Sequence, residues 1–315
     1  MSSTDKISVK EILIAAVILL VVGVAMFFTL KAFNAEGLQK SVTISEKGSP
    51  SGNYVDIAVQ LLSFDPIKGD ATARITFTPE GSLAAGDGSV SQDLKFFVNS
   101  ANGKQEIDYA KGKRMTPVEA VIPISEGNAA DYPFDEHKAQ VELYLTPGKA
   151  ADKNPADKPA EHTDTGDETA APKKEVAALE DIPIDVDFFG SLPGYRITAA
   201  STKDTDENYV LFDVGFDRSN IAVFFSIFVS VLMWALSIAV LFLMISVLVR
   251  GRKAEIAMFS FMAALLFAFY AVRNSQPNVP PIGVLSDFLG FFWAELIVGA
   301  CLLAGVFTWV FRANK

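Results

Sequence analysis

Charged side chains inside otherwise apolar sequence are the first places where this chain could do chemistry. Glu295 stands about five residues into an uncharged run, Arg273 closes another, and Asp287 precedes Glu295 by eight positions. An ionised side chain in hydrocarbon is costly unless partnered, so such residues mark an ion pair between helices or a proton- or ligand-responsive site. Arg273 is the expected partner of Glu295, and Asp287 shares that helix face if the helix starts early. Two other carboxylate pairs, Asp185 with Asp187 and Asp204 with Asp206, have the spacing that puts both groups on one side of a strand, as acid–base catalysis would require. Neither has a third residue beside it to move a pKa, and both read as solvated carboxylates.

The inventory of reactive groups is otherwise short. One cysteine, Cys301, and two histidines, His137 and His162, stand among 315 residues. That excludes an internal disulfide and any cysteine-based zinc site. The sequence has no Gly-rich phosphate loop, no Gly-x-Ser-x-Gly elbow and no His-Glu-x-x-His, the patterns that would carry phosphate, acyl or zinc chemistry. Asp164, Asp167 and Glu168 lack the Gly turn and closing Glu of a calcium loop. The expectation is a non-enzymatic protein with no catalytic residue, cofactor or metal.

The elements that position Glu295, Arg273 and Asp287 are apolar runs long enough to cross about 30 Å of hydrocarbon. Four are read: 12–30, 220–249, 256–272 and 290–311. The first is nineteen uncharged residues, longer than the apolar core of a signal peptide, and reads as an uncleaved anchor. Lys6, Lys10, Arg250, Arg252, Lys253, Arg312 and Lys315 flank the runs on one side, whereas the loop 273–289 carries only Arg273 at its edge. By the positive-inside rule both termini (1–11 and 312–315) and the basic turn are cytoplasmic, and 31–219 is external. The expected location is the plasma (inner) membrane. Ser226, Ser230 and Ser237, then Gly290 with Ala294 and Ala300 with Ala304, are small residues at helical spacing that admit close helix approach or self-association. Trp293 and Trp309 lie toward opposite ends of the last span, as interfacial anchors do.

The external part carries 32 Asp and Glu against 19 Lys and Arg, a net of −13, while the remainder sums to +3. Such an exterior repels nucleic acid and anionic lipid headgroups. Its partners are expected to be proteins or other envelope components, with the bilayer around the spans. Period-2 alternation predicts strands at 54–63, 71–79, 94–99, 118–123, 138–145, 182–189, 195–200 and 208–216. Short strands with little helical pattern imply an antiparallel β-sandwich. The stretch 148–174 is nearly devoid of aromatic and β-branched apolar residues, and reads as a disordered insert between strands. The fold class is therefore an α+β membrane protein, an external sandwich on a four-helix transmembrane bundle.

Tyr132-Pro133-Phe134-Asp135, with an aromatic, a turn-forming Pro and a second aromatic before a carboxylate, suits a rigid loop wedged at the membrane-facing end of the sandwich. That loop, the span layout and Val279-Pro280-Pro281-Ile282-Gly283 resemble bacterial membrane proteins of domain-of-unknown-function family 4436 over nearly the whole chain. The order of Tyr132 to Asp135, Gly251-Arg252-Lys253 and Val279 to Gly283 is also similar to that in pentameric ligand-gated channels, which implies a channel-like oligomer as the alternative function. In that likeness 256–272 would line a pore. Met258, Phe259, Phe261, Met262, Phe267 and Phe269 are expected to put bulk on every face of that span, and a ring of such side chains would dewet rather than conduct. The coupling candidates are thus Tyr132, Pro133, Phe134, Asp135, Pro280 and Pro281, beside Arg273, Asp287 and Glu295.

Overall fold

The computed structural model describes residues 52–148 and 182–311, except 87, 103–104, 203–205 and 207, together with 42–43 and scattered positions between 13 and 34. Much of the first expected span, both expected tails and nearly all of the expected insert lie outside the described residues.

Among the described residues, ten strands form the N-terminal domain: β1 (Val42–Thr43), β2 (Val55–Asp65), β3 (Asp70–Pro79), β4 (Leu94–Val98), β5 (Glu106–Tyr109), β6 (Val118–Gly127), β7 (Glu136–Pro147), β8 (Ile184–Phe189), β9 (Tyr195–Ser201) and β10 (Tyr209–Arg218). The path of pairing runs β1-β8-β2-β3-β6-β7-β10-β9, with β4 bonded to β5 and β7. β6 serves both layers, since Val118 to Pro123 pairs with β3 and Ile124 to Gly127 with β7 across a register shift. A strand that changes sheets at a bulge makes the corner that folds one path into a sandwich-like pair of layers. Alternate side chains of both layers then meet, Ile57, Val59 and Ile75 from one and Phe96, Val141, Leu143 and Phe212 from the other.

The sheet is mixed, not purely antiparallel. β8 runs parallel to β2, Val55 beside Ile184 through Gln60 beside Phe189. The chain between β7 and β8 is long enough for the crossover a parallel neighbour needs, and β8 lies in the other layer between β1 and β2. Two strands escaped the alternation reading. β5 is a four-residue edge strand with Glu106 and Asp108 in it, and β1 is two residues long.

Three helices follow: α1 (Asn220–Val249), α2 (Ile256–Asn274) and α3 (Phe292–Phe311), the last entered through a π-type turn, Asp287–Phe291. All are long and apolar enough to cross a membrane, taking the turn with α3. α1 starts one residue after β10, with Ser219 between them as N-cap, its hydroxyl accepting from the Ala222 N–H at 3.2 Å. Its buried residues, Ala222, Ser226, Val229, Met233, Ser237, Val240, Met244 and Val247, follow a three- and four-residue spacing that makes one stripe. This stripe meets Met262, Leu265 and Phe269 of α2 and Ala294, Val298 and Cys301 of α3, while the outer surfaces carry exposed Phe, Leu and Ile. Close approach is set by the small residues expected to set it. A Cβ on Gly290 would stand 3.2 Å from that of Ser230, and the Ser237 hydroxyl donates to the Ala294 carbonyl at 3.2 Å. Ala300 and Ala304 instead line a shallow apolar groove with Leu241 and Met244.

Candidate functional site: the junction between the β domain and the helices

The inward alternation of β7 and β10 generates the site. In β10 the buried positions are Val210, Phe212, Val214, Phe216 and finally Arg218; in β7 they run back from Leu145 through Val141 and Ala139 to His137, and Asp135 is the next inward place. The two strands are antiparallel with Phe216 opposite His137 and Asp217 opposite Glu136. One further step of that register sets Arg218 against Asp135. The apolar core thus ends, at its helix-side edge, in a cross-strand ion pair.

The pair is bidentate and buried. Arg218 Nε donates to Asp135 Oδ1 at 2.9 Å and Nη2 to Oδ2 at 3.0 Å, with Asp135 only 1% and Arg218 4% exposed. Asp135 Oδ2 also accepts from His137 Nε2 at 3.0 Å, and the His137 ring lies edge-on to Phe64. Burial pushes the Asp135 carboxyl up, but the His137 and Arg218 hydrogen bonds and the Arg218 charge outweigh it and hold the group below its ordinary value. The guanidinium lies between two phenol rings, 4.8 Å from the Tyr132 centroid and 4.5 Å from that of Tyr195, a desolvated cation–π arrangement. Burial raises the pKa of both phenols, so both rings face the cation as neutral quadrupoles.

From this pair the contacts pass into the helices. Arg218 Nη1 donates to the Asn278 carbonyl in the α2–α3 loop at 3.0 Å. The Tyr132 hydroxyl is 2.7 Å from Ser226 Oγ in α1 and donates to the Pro277 carbonyl at 3.2 Å. The Ser286 N–H, at the entry to α3, donates to the Tyr132 carbonyl at 3.1 Å. Asn278 adopts φ +47°, a left-handed conformation that Asn tolerates better than most residues, and its side-chain amide donates to the Pro193 carbonyl in the β8–β9 turn at 2.7 Å. That same turn accepts the Ser219 N–H at Gly194. One cluster therefore joins β7, β10, the β8–β9 turn, α1, the α2–α3 loop and the start of α3.

The α2–α3 loop is held from its other side by a second buried pair. Arg273 Nε and Nη2 donate to Asp287 Oδ1 and Oδ2, both at 2.7 Å, and Nη1 and Nη2 donate to the Pro280 and Pro281 carbonyls at 2.8 and 3.3 Å. Asp287 Oδ2 also accepts from the Gly283 and Val284 N–H groups. The expected Arg273–Glu295 pair is not formed. The π-type turn starts the helical path at Asp287, which brings that carboxylate to Arg273 and leaves Glu295 two turns further along α3, half-buried and in no ion pair among the described residues.

Of the sequence candidates, Tyr132, Pro133, Asp135, Pro280, Arg273 and Asp287 are buried around this loop. Phe134 is 53% exposed, so the wedge is Tyr132. Arg218, Asn278 and Tyr195 were not singled out from sequence, and Ser226 only as a small residue of a helix-packing face, although continuing the β10 alternation by one place would have found Arg218. Asp185 and Asp187 lie on the outer face of β8, Asp185 beside Asp56 of β2. Burial, then Asp187, Asp185 and Glu80, raise the Asp56 pKa, yet no group of three His, Cys, Asp or Glu among the described residues is arranged for a metal. Asp204, Asp164, Asp167, Glu168 and His162 fall outside the described residues.

A cleft of about 670 Å³ opens beside the junction, between the β2–β3 hairpin tip (Asp65, Ile67, Lys68), Pro193 and Tyr195, and Val279 of the α2–α3 loop. No curated protein matches the sequence. Two family models do: one described as Domain of unknown function (DUF8686) over residues 218–312, covering the three helices, and one described as Domain of unknown function (DUF4436) over residues 45–216. The boundary between them falls at Arg218, so the Asp135–Arg218 pair spans it. With more than half of its length matched by the second of these models, the chain belongs to the family of domain of unknown function DUF4436.

Proposed function

We propose that this is a non-enzymatic membrane protein in which an outward-facing acidic β-sandwich binds a protein or another envelope component and passes its state to the helices through the Asp135–Arg218 junction. The reading places four spans in the plasma membrane, 12–30 included, with both termini cytoplasmic and 31–219 outside. Its central support is that one ion pair, sandwiched by Tyr132 and Tyr195, bonds both domains and the α2–α3 loop at once. A surface anchor without coupling has no need to bury two charges where its domains meet. Removing either partner of such a pair leaves an uncompensated charge costing about 3 to 5 kcal/mol. Impermeant maleimide labelling of an exposed Lys113→Cys in intact cells tests the placement, and labelling only after lysis would overturn it.

A subunit of a channel-like oligomer is the second reading, and the surface of α2 favours it. Met262, Leu265 and Phe269 turn inward, whereas Ala257, Ser260, Ala264, Ala268 and Ala271 form an exposed stripe, with Ile256, Phe261, Phe267 and Tyr270 the large exposed residues of the same helix. The stripe itself carries small side chains, while Met262 and Phe269 lie in the bundle core. Mass measurement after purification in mild detergent separates the two readings. A homo-oligomer of five chains favours the channel, and co-purified heterologous subunits favour the binding protein.

A further inference from the structure

We infer that the α1–α2 turn, at the end of the bundle opposite the junction, forms a binding site for one anionic phospholipid. This rests on the membrane reading above. A cavity of about 620 Å³ lies there, with Phe242, Val247 and Met258 on its walls and Arg252, Lys253 and Glu255 at its mouth, Ser246 lying between. Among the described residues the mouth holds two cations against one carboxylate, and Arg250 adds a third cation in the same turn outside the lining. The helix that supplies the walls has an exposed apolar surface there, with Phe242 65% and Val249 78% exposed.

These two halves fix the chemistry of the ligand. A basic mouth takes a phosphate, but a soluble phosphate would leave the apolar walls wet. An acyl chain alone would bring no anion to a positively charged mouth. A glycerophospholipid with net negative charge satisfies both, its phosphate at Arg252 and Lys253 and one chain along Phe242 and Met258. Basic residues beside a span attract such lipids by roughly a factor of five each. The acidic β domain repels the same headgroups, so selection belongs to the opposite end of the bundle.

The test uses the full chain in bilayer nanodiscs containing equal phosphatidylglycerol and phosphatidylcholine, followed by gentle extraction and native mass spectrometry of retained lipid. One phosphatidylglycerol per chain is expected, in preference to phosphatidylcholine. Arg252→Gln with Lys253→Gln should lower its retention at least about tenfold, while Arg250→Gln, outside the lining, should lower it by clearly less. Ser246→Trp, which keeps every charge but fills the space between wall and mouth, should abolish retention. Equal retention of both lipids overturns the site, as does a loss with Arg250→Gln equal to that of the double variant, or full retention with Ser246→Trp. Competition by soluble glycerol phosphate at millimolar concentration would show a free-phosphate site and also overturn it. A chain that never enters the discs overturns the membrane reading itself, a result distinct from all of these.

Discussion

Replacing Asp135 by Asn would leave Arg218 charged and buried without its counter-charge and without the second of its two side-chain acceptors. The expected loss is about 3 to 5 kcal/mol, measurable as a lowered midpoint in thermal unfolding of detergent-solubilised protein, with Asp135→Glu losing less. The same pair has a pH signature. The folded Asp135 pKa is depressed, so its contribution is fully present above the unfolded value of about 3.9 and is lost as pH falls through the lower folded value. Wild-type protein should therefore lose more stability below about pH 4 than Asp135→Asn does, and parallel acid unfolding curves would refute the assignment. Arg273 makes a comparable test on the other side of the loop. Arg273→Met or Asp287→Leu alone should destabilise strongly, and the two together should recover most of the loss, a coupling of at least about 1 kcal/mol. Glu295→Gln should add independently to Arg273→Met, because Asp287 occupies the guanidinium.

The strands are where the sequence was most readable, and the reason is the sandwich itself. Each long strand has one face against the other layer, so Val55, Ile57, Val59 and Leu61 alternate with outward residues and announce β2. β5 gives no such signal, because a four-residue edge strand with Glu106 and Asp108 facing out has only Ile107 and Tyr109 to pack inward. The junction was half readable. Its residue types on the loop 132–135 stood out, but the partner Arg218 lies 83 positions away and is brought there by β7–β10 register, which no local pattern encodes. The partner of Arg273 was misassigned for a similar reason, since a hydropathy run starts at 290 whereas the helical path already includes Asp287. Packing between helices gives a prediction at this scale. Gly290→Leu should destabilise by about 1 to 3 kcal/mol through the clash with Ser230. Gly299→Ala, where an added Cβ meets nothing within 4 Å, should be neutral or slightly stabilising, and thermal unfolding compares the two.

At the scale of the whole molecule, the β domain and helices share no slack. β10 ends at Arg218, Ser219 caps, and α1 begins at Asn220, so a tilt of the β domain must either turn α1 or break the ion pair. Inserting two glycines after Arg218 should keep each half folded while raising proteolysis or hydrogen exchange in the α2–α3 loop, and unchanged protection there would argue that the halves act separately. Arg218 is also where the two family matches meet, and this bears on how such a protein could be recombined. The seam is not the peptide bond at 217–218 but a lock whose parts are spread over Tyr132, Asp135, Pro193 and Gly194 above and Ser226, Pro277, Asn278 and Ser286 below. A β domain grafted from another protein would seat on these helices only if it brought its own aspartate and tyrosine to those two places.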